Sequence, residues 1–241
     1  MMNDVKVTVM RFDPDIDESP RYDTFPIEAK KNMTVLDSLF LIVEDQDPTL
    51  SFRCACRLGM CGSCGMVING RGRLACRTKI ESLGEKIVVQ PMRNMDVIKD
   101  LSVDMDKFFK NWEKVKPYFV PKEDTDEFSV IPPSSGRREI IDENQDCITC
   151  GLCFQSCDAV SLRGEDEYIG PAALNRAYNL IADERDGAKD ERMDMVTESD
   201  GAFGCRSFGA CVEVCPKGIK PMATIQKIKT KKLRRAVGLK Y

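Results

Sequence analysis

The placement of cysteines limits what this chain can be more than any other feature. Twelve cysteines stand in 241 residues, and there is no histidine. That is about 5% cysteine, under the ~8–10% of disulfide-stapled scaffolds, and a chain of this length can bury a core without covalent staples. Metal ligation by thiolate is therefore the expected use. The missing imidazole removes Rieske centres, histidine-ligated haem, Cys2His2 zinc, Ser-His-Asp hydrolysis and Cys-His proteolysis together.

Cys56, Cys61, Cys64 and Cys76 are separated by four, two and eleven residues. This is the spacing of a plant-type 2Fe-2S loop, in which a tight turn wraps three thiolates and the fourth arrives from a following strand. Gly59, Gly62 and Gly65 suit such a turn, because backbone N–H groups must come close to sulfur. A structural zinc knuckle prefers closely spaced pairs divided by a longer insert, so four thiolates in this pattern fit zinc poorly.

A short internal repeat follows. Cys147, Cys150, Cys153 and Cys157 are separated by two, two and three residues, and Cys205, Phe208, Cys211 and Cys215 repeat those separations with Phe208 in the second place. In paired runs of the bacterial ferredoxin type, three cysteines of one run hold a cubane cluster and the fourth serves the other run's cluster. Cys147, Cys150, Cys153 and Cys215 then form a 4Fe-4S set. Cys157, Cys205 and Cys211 form a set of three that suits 3Fe-4S, since Phe208 cannot ligate iron. Cys54 is left over and is read as non-ligating.

Around these runs the chain reads as α+β. Residues 1–104 look like a β-rich unit with one helix. Strands are expected at 5–12, 22–27 and 86–90, a helix opens at the Thr34–Asp37 capping box, and strands 65–68 and 74–78 flank an Asn69-Gly70 turn. Residues 105–241 look helical, with helices expected at 104–116 burying Phe108, Trp112 and Val115, after Gly170-Pro171 to residue 183, and from Pro221 to about 235. The stretch 117–138, with four prolines and an acidic cluster, reads as a linker draped over a surface. The acidic stretch 183–198 reads as an exposed helix and loop.

The longest clean apolar run is residues 39–43, far short of a membrane span. No basic start and apolar core of a targeting segment precede it, which predicts a cytoplasmic setting. Residues 216–241 hold nine Lys and Arg and no acid, against a net charge of −3 for the chain. Lys227, Lys229, Lys231, Lys232, Arg234 and Arg235 are either a solvated helix end or a face toward anionic lipid or a membrane partner. Nucleic acid is not expected, because the chain is acidic overall and the basic tail lacks interleaved aromatics. No glycine-rich phosphate loop or dinucleotide fingerprint is present.

The sequence resembles the iron-sulfur subunit of succinate dehydrogenase and fumarate reductase. The likeness is carried by Ser51-Phe52-Arg53, Cys61-Gly62-Ser63-Cys64, Leu74-Ala75-Cys76, Trp112-Glu113-Lys114-Val115-Lys116-Pro117-Tyr118, Cys147-Ile148-Thr149-Cys150-Gly151-Leu152-Cys153, Gly170-Pro171-Ala172-Ala173-Leu174 and Cys211-Val212-Glu213-Val214-Cys215-Pro216-Lys217-Gly218. The resemblance implies an N-terminal β-grasp domain, 1–104, and a C-terminal all-α bacterial-ferredoxin-like domain, 105–241. It implies a non-catalytic electron-transfer role between FAD in a flavoprotein subunit and a quinone at a membrane anchor, with the chain peripheral on the cytoplasmic side. Asp158 follows Cys157 where the family usually continues with Pro, Ser161 and Leu162 replace aromatics, and Arg206 stands where many members have His. Those departures point to an anchor of the dihaem cytochrome b type using menaquinone, with haem b as the receiving group. A thiol-linked fumarate reductase subunit and a free ferredoxin-like carrier are the alternatives within the same chemistry, and a structural zinc-binding module is the one outside it.

Overall fold

Along β1 (Val5–Arg11) Val5, Val7 and Val9 are buried and Lys6 is exposed, the period-two pattern that makes a strand with one face in a core. The computed structural model describes residues 4–123, 127–163 and 168–239. The chain divides into two units, Met1–Met105 with Ile148–Ser156, and Asp106–Cys147 with Cys157–Tyr241.

In the first unit β1 pairs antiparallel with β2 (Arg21–Ile27). Next comes α1 (Val35–Asp45), with Val35, Leu36, Leu39 and Ile42 turned into the core at helical spacing. Its capping box is complete: Asp37 N–H donates to Thr34 Oγ1 at 3.2 Å, and Thr34 N–H donates to Asp37 Oδ2 at 2.9 Å. The hairpin of β3 (Gly65–Ile68) and β4 (Arg71–Leu74) turns at Asn69 and Gly70, both at positive φ. Strand β5 (Lys86–Gln90) runs parallel to β1 and antiparallel to β3, giving the order β2-β1-β5-β3-β4 of a β-grasp sheet. The second hairpin strand was expected at 74–78. It ends instead at Leu74, because the two-residue turn starts the pairing at once, and residues 75–77 close into a single 3-10 turn.

A small ribbon, β6 (Val97–Lys99) with β7 (Ser102–Val103), carries no strong sequence signal yet holds the approach to the first cysteine loop. Leu101 N–H donates to Ser51 O at 3.1 Å, Ser51 N–H to Asp100 Oδ2 at 2.9 Å, and Arg53 Nη1 to Val103 O at 3.1 Å.

The described part of the second unit is helical, and a short helix α4 (Leu152–Gln155) belongs to the first unit. In order, the second unit has α2 (Asp106–Glu113), α3 (Gly136–Gln145), α5 (Asp158–Arg163), α6 (Gly170–Ala182), α7 (Lys189–Met195), α8 (Ala210–Glu213) and α9 (Pro221–Ala236). At the centre is α6, with Pro171 in its first turn and all but two of its residues buried; it packs on α3, α7 and α9. Phe108 and Val115 are buried as expected, whereas Trp112 is only half-buried.

The acidic stretch 183–198 departs most from its reading as a solvated element. Asp186 and Arg192 are both wholly buried and paired at 3.1 Å. Arg192 donates to Val115 O at 3.0 Å, to Tyr118 O at 2.6 Å and to Lys116 O, while Val120 N–H donates to Asp186 Oδ2 at 3.2 Å. The proline-rich segment after α2 is thus clamped, its backbone groups satisfied by a buried ion pair rather than by water. No helix among the described residues is long and apolar enough to cross a membrane.

Candidate metal centres

The first centre lies wholly in the N-terminal unit. Residues 56–64 form a tight loop in which Arg57, Gly59 and Gly62 all take positive φ, turning backbone N–H groups inward. Cys56 Sγ accepts from the N–H groups of Leu58 at 3.4 Å, Met60 at 3.3 Å and Cys61 at 3.3 Å, and Cys56 N–H donates to Cys61 Sγ at 3.5 Å. Cys64 starts the hairpin and Cys76 sits on the 3-10 turn at its end, where Ala75 N–H donates to Cys64 O at 3.0 Å. The four thiols are therefore brought together as an outer pair, Cys56 and Cys61, and a buried inner pair, Cys64 and Cys76. Hydrogen bonds from Ser63, then from Cys56, hold the Cys61 thiol down to about 6, whereas burial pushes the Cys64 thiol up to about 12. Cys54 is half-buried in the segment leading in. Of the flanking methionines, Met66 is core and Met60 is 63% exposed.

Gly62 has a second role that its φ alone does not show. A Cβ there would lie 2.8 Å from Cys150 Cα and 2.9 Å from Ile148 O. The missing side chain lets Cys150, on the segment that belongs to the same unit, come directly against the first loop.

The two runs of the repeat share a backbone. Thr149 and Ser207 take positive φ of 50° and 61°, and Gly151 and Gly209 take 75° and 88° before the short helices α4 and α8. Position 208 therefore occupies in its own run the place that Cys150 occupies in the other, and its phenylalanine is 59% exposed. Of the four-cysteine set, Cys150 and Cys153 belong to the first unit and Cys147 and Cys215 to the second.

Cys157, Cys205 and Cys211 do come together, lining one recess with Phe208 and Tyr168. Burial raises the thiols of Cys157 and Cys211, the latter to about 12, with neighbouring thiols adding to both shifts. The cysteine sets of the first and third centres are all sulfur, and backbone N–H groups approach them, as with Ser207 N–H to Cys205 Sγ at 3.4 Å. This donor chemistry fits iron-sulfur clusters. Among the described residues no three His, Cys, Asp or Glu side chains converge as they would on a single metal ion.

Four of the basic residues on α9 have partners within the unit. Lys229 Nζ donates to Cys205 O at 2.9 Å, Lys227 lies 5.7 Å from the Tyr178 ring centre, and Lys232 and Arg235 pair with Asp194.

A family model for a 2Fe-2S iron-sulfur cluster binding domain matches residues 6–110, and one for a 4Fe-4S dicluster domain matches 143–219. The fumarate reductase iron-sulfur subunit of Mycobacterium tuberculosis is 37% identical over 236 residues, covering 95% of this chain and 93% of its own. That of Escherichia coli O6:H1 is 34% identical over 225 residues (93% and 91%), and the succinate dehydrogenase iron-sulfur subunit of Coxiella burnetii is 35% identical over 232 (94% and 96%). A solved chain of the Mycobacterium smegmatis Sdh1 complex in its apo form matches with TM-score 0.86 at 29% identity, covering 98% of each chain.

Proposed function

Because the chain belongs to the family of iron-sulfur subunits of fumarate reductase and succinate dehydrogenase, we propose that it relays single electrons between FAD in a flavoprotein subunit and a quinone or haem b at a membrane anchor. Cys56, Cys61, Cys64 and Cys76 hold 2Fe-2S; Cys147, Cys150, Cys153 and Cys215 hold 4Fe-4S; Cys157, Cys205 and Cys211 hold 3Fe-4S. When bound, each cluster takes up and returns one electron at a potential set by hydrogen bonds to sulfur, charge and exposure.

The observation that carries this reading is the seat of Cys150 against Gly62. Electron tunnelling falls exponentially with distance, and a glycine between Cys61 and Cys64 removes a side chain that would hold the loops of two successive centres apart. The Cys56 and Cys61 side is the exposed one and carries N–H donors that favour added negative charge, so it suits exchange with an outside donor.

Exposed apolar side chains stand beside both terminal centres: Leu58 and Met60 at the first, Phe203 and Phe208 at the third. A free carrier gains nothing from such patches, whereas a subunit gripped by a flavoprotein at one centre and by an anchor at the other does. At the third centre, Asp158 and Arg206 line the recess in place of the family's usual residues. This favours hand-over to haem b of a dihaem cytochrome b, with menaquinone as the eventual partner, and a peripheral position on the cytoplasmic side of the membrane.

The test is purification of the chain from its native membranes in mild detergent, followed by succinate addition under anaerobic conditions. Co-purification with a flavoprotein and a b-type cytochrome, and reduction of the iron centres by succinate, is the expected result. A chain that elutes alone and stays oxidised with succinate overturns the proposal.

A further inference from the structure

Tyr168 is a buried polar group beside the three-cysteine recess. Its ring is wholly inaccessible, and its hydroxyl has no hydrogen bond of ordinary length among the described residues. Burying a hydroxyl without a partner is costly, so such a group is retained where something supplies the partner. Tyr168 lines the three-cysteine recess together with Cys157, Cys205 and Cys211, and its hydroxyl interacts with the Cys205 thiol.

The chain fixes that aim from two sides. Ile169 N–H donates to Asp200 O at 3.0 Å, anchoring the backbone beside the tyrosine. Gly204, the residue before Cys205, lies flat against the ring: a Cβ there would stand 2.6 Å from Tyr168 Cδ2. Gly204 has no positive φ to explain it, and its missing side chain leaves space for this ring and for the Arg163 guanidinium, 3.0 Å from where the Cβ would stand.

Resting on the assignment of Cys157, Cys205 and Cys211 to a 3Fe-4S centre, we propose that the Tyr168 hydroxyl donates a hydrogen bond to a sulfur of that centre and so holds its reduction potential up. The donor stabilises the more negative, reduced state more than the oxidised one, because hydrogen bonds to greater charge are stronger. Tyr168 is thus a positioning and tuning residue, with the potential as its readout.

The test is an EPR-monitored redox titration of the whole complex carrying Tyr168→Phe, which keeps the ring and removes only the hydroxyl. The expected result is a roughly tenfold fall in the equilibrium constant for reducing the 3Fe-4S centre, a drop of about 59 mV for one electron, with the 2Fe-2S potential unchanged. An unchanged 3Fe-4S potential overturns the inference. Should Tyr168→Phe fail to load the third centre, Gly204→Ala decides, since it keeps the hydroxyl but displaces the ring: a lowered potential supports the proposal and an unaltered one overturns it. Absence of any 3Fe-4S signal in the wild-type complex would instead refute the ligand assignment beneath it.

Discussion

Replacing Phe208 by cysteine should turn the three-ligand centre into a four-ligand one. The backbone is already suitable: Ser207 and Gly209 repeat the positive φ values of Thr149 and Gly151, so a cysteine at 208 stands in its run as Cys150 does in the other. The cost is small. Phe208 is 59% exposed, so only about two-fifths of its burial is lost, on the order of 1 kcal/mol from the ~1.5–3 kcal/mol for a fully buried large side chain. For a chain of this size that lowers Tm by about 2–4 °C. Low-temperature EPR of the anaerobically oxidised protein, with iron analysis, reads the outcome. The oxidised 3Fe-4S signal should disappear, a further reduced-state 4Fe-4S signal should appear, and iron should rise by about one per chain. An unchanged 3Fe-4S signal at unchanged iron content would refute the ligand assignment.

Three further outcomes are expected. Arg192→Met leaves Asp186 charged and buried and strips acceptors Val115 O and Tyr118 O of their donor; thermal unfolding should show a loss of about 3–5 kcal/mol, partly recovered by adding Asp186→Leu. Gly62→Ala combines a φ of +73° with a Cβ 2.8 Å from Cys150 Cα, costing about 1 kcal/mol or more; cluster loading of the first centre should fall, and full loading with unaltered spectra would show that close seating is not needed. The Asp47 carboxyl is held down to about 2, chiefly by the Thr49 hydroxyl and also by Arg11. Its contribution to stability is fully present above the ordinary value of 3.8 and is lost as pH falls toward about 2; urea unfolding should lose that acid-side component in Asp47→Asn.

Much of this was legible in the sequence because the informative signals are local. The capping box at Thr34, the Asn69-Gly70 turn and the repeat spacing each depend on residues within a few positions of one another, and each takes its expected form. What the sequence hid depends on long-range contact. The burial of Arg192 and Asp186 in an acidic stretch comes from backbone carbonyls more than 70 residues earlier, and no local pattern separates that arginine from a solvated one. Residues 75–77 continue the expected strand in sequence but form a 3-10 turn, because the hairpin closes early. The ribbon β6–β7 is too short to show periodicity, yet it orients residues 51–53. Gly62 read as a turn glycine, and only the structure shows Cys150 filling the space it leaves. Tyr168 and Gly204 carry no motif at all; a small residue just before a ligand cysteine is the one hint the sequence held.

The central claim, that these eleven cysteines hold three iron-sulfur centres of differing nuclearity, is tested most directly by low-temperature EPR on anaerobically purified protein, oxidised and then reduced stepwise, with iron and zinc analysis. The account predicts an oxidised 3Fe-4S signal, two further signals on reduction and about nine irons per chain. Zinc in place of iron, with no paramagnetic signal at any stage, would contradict it.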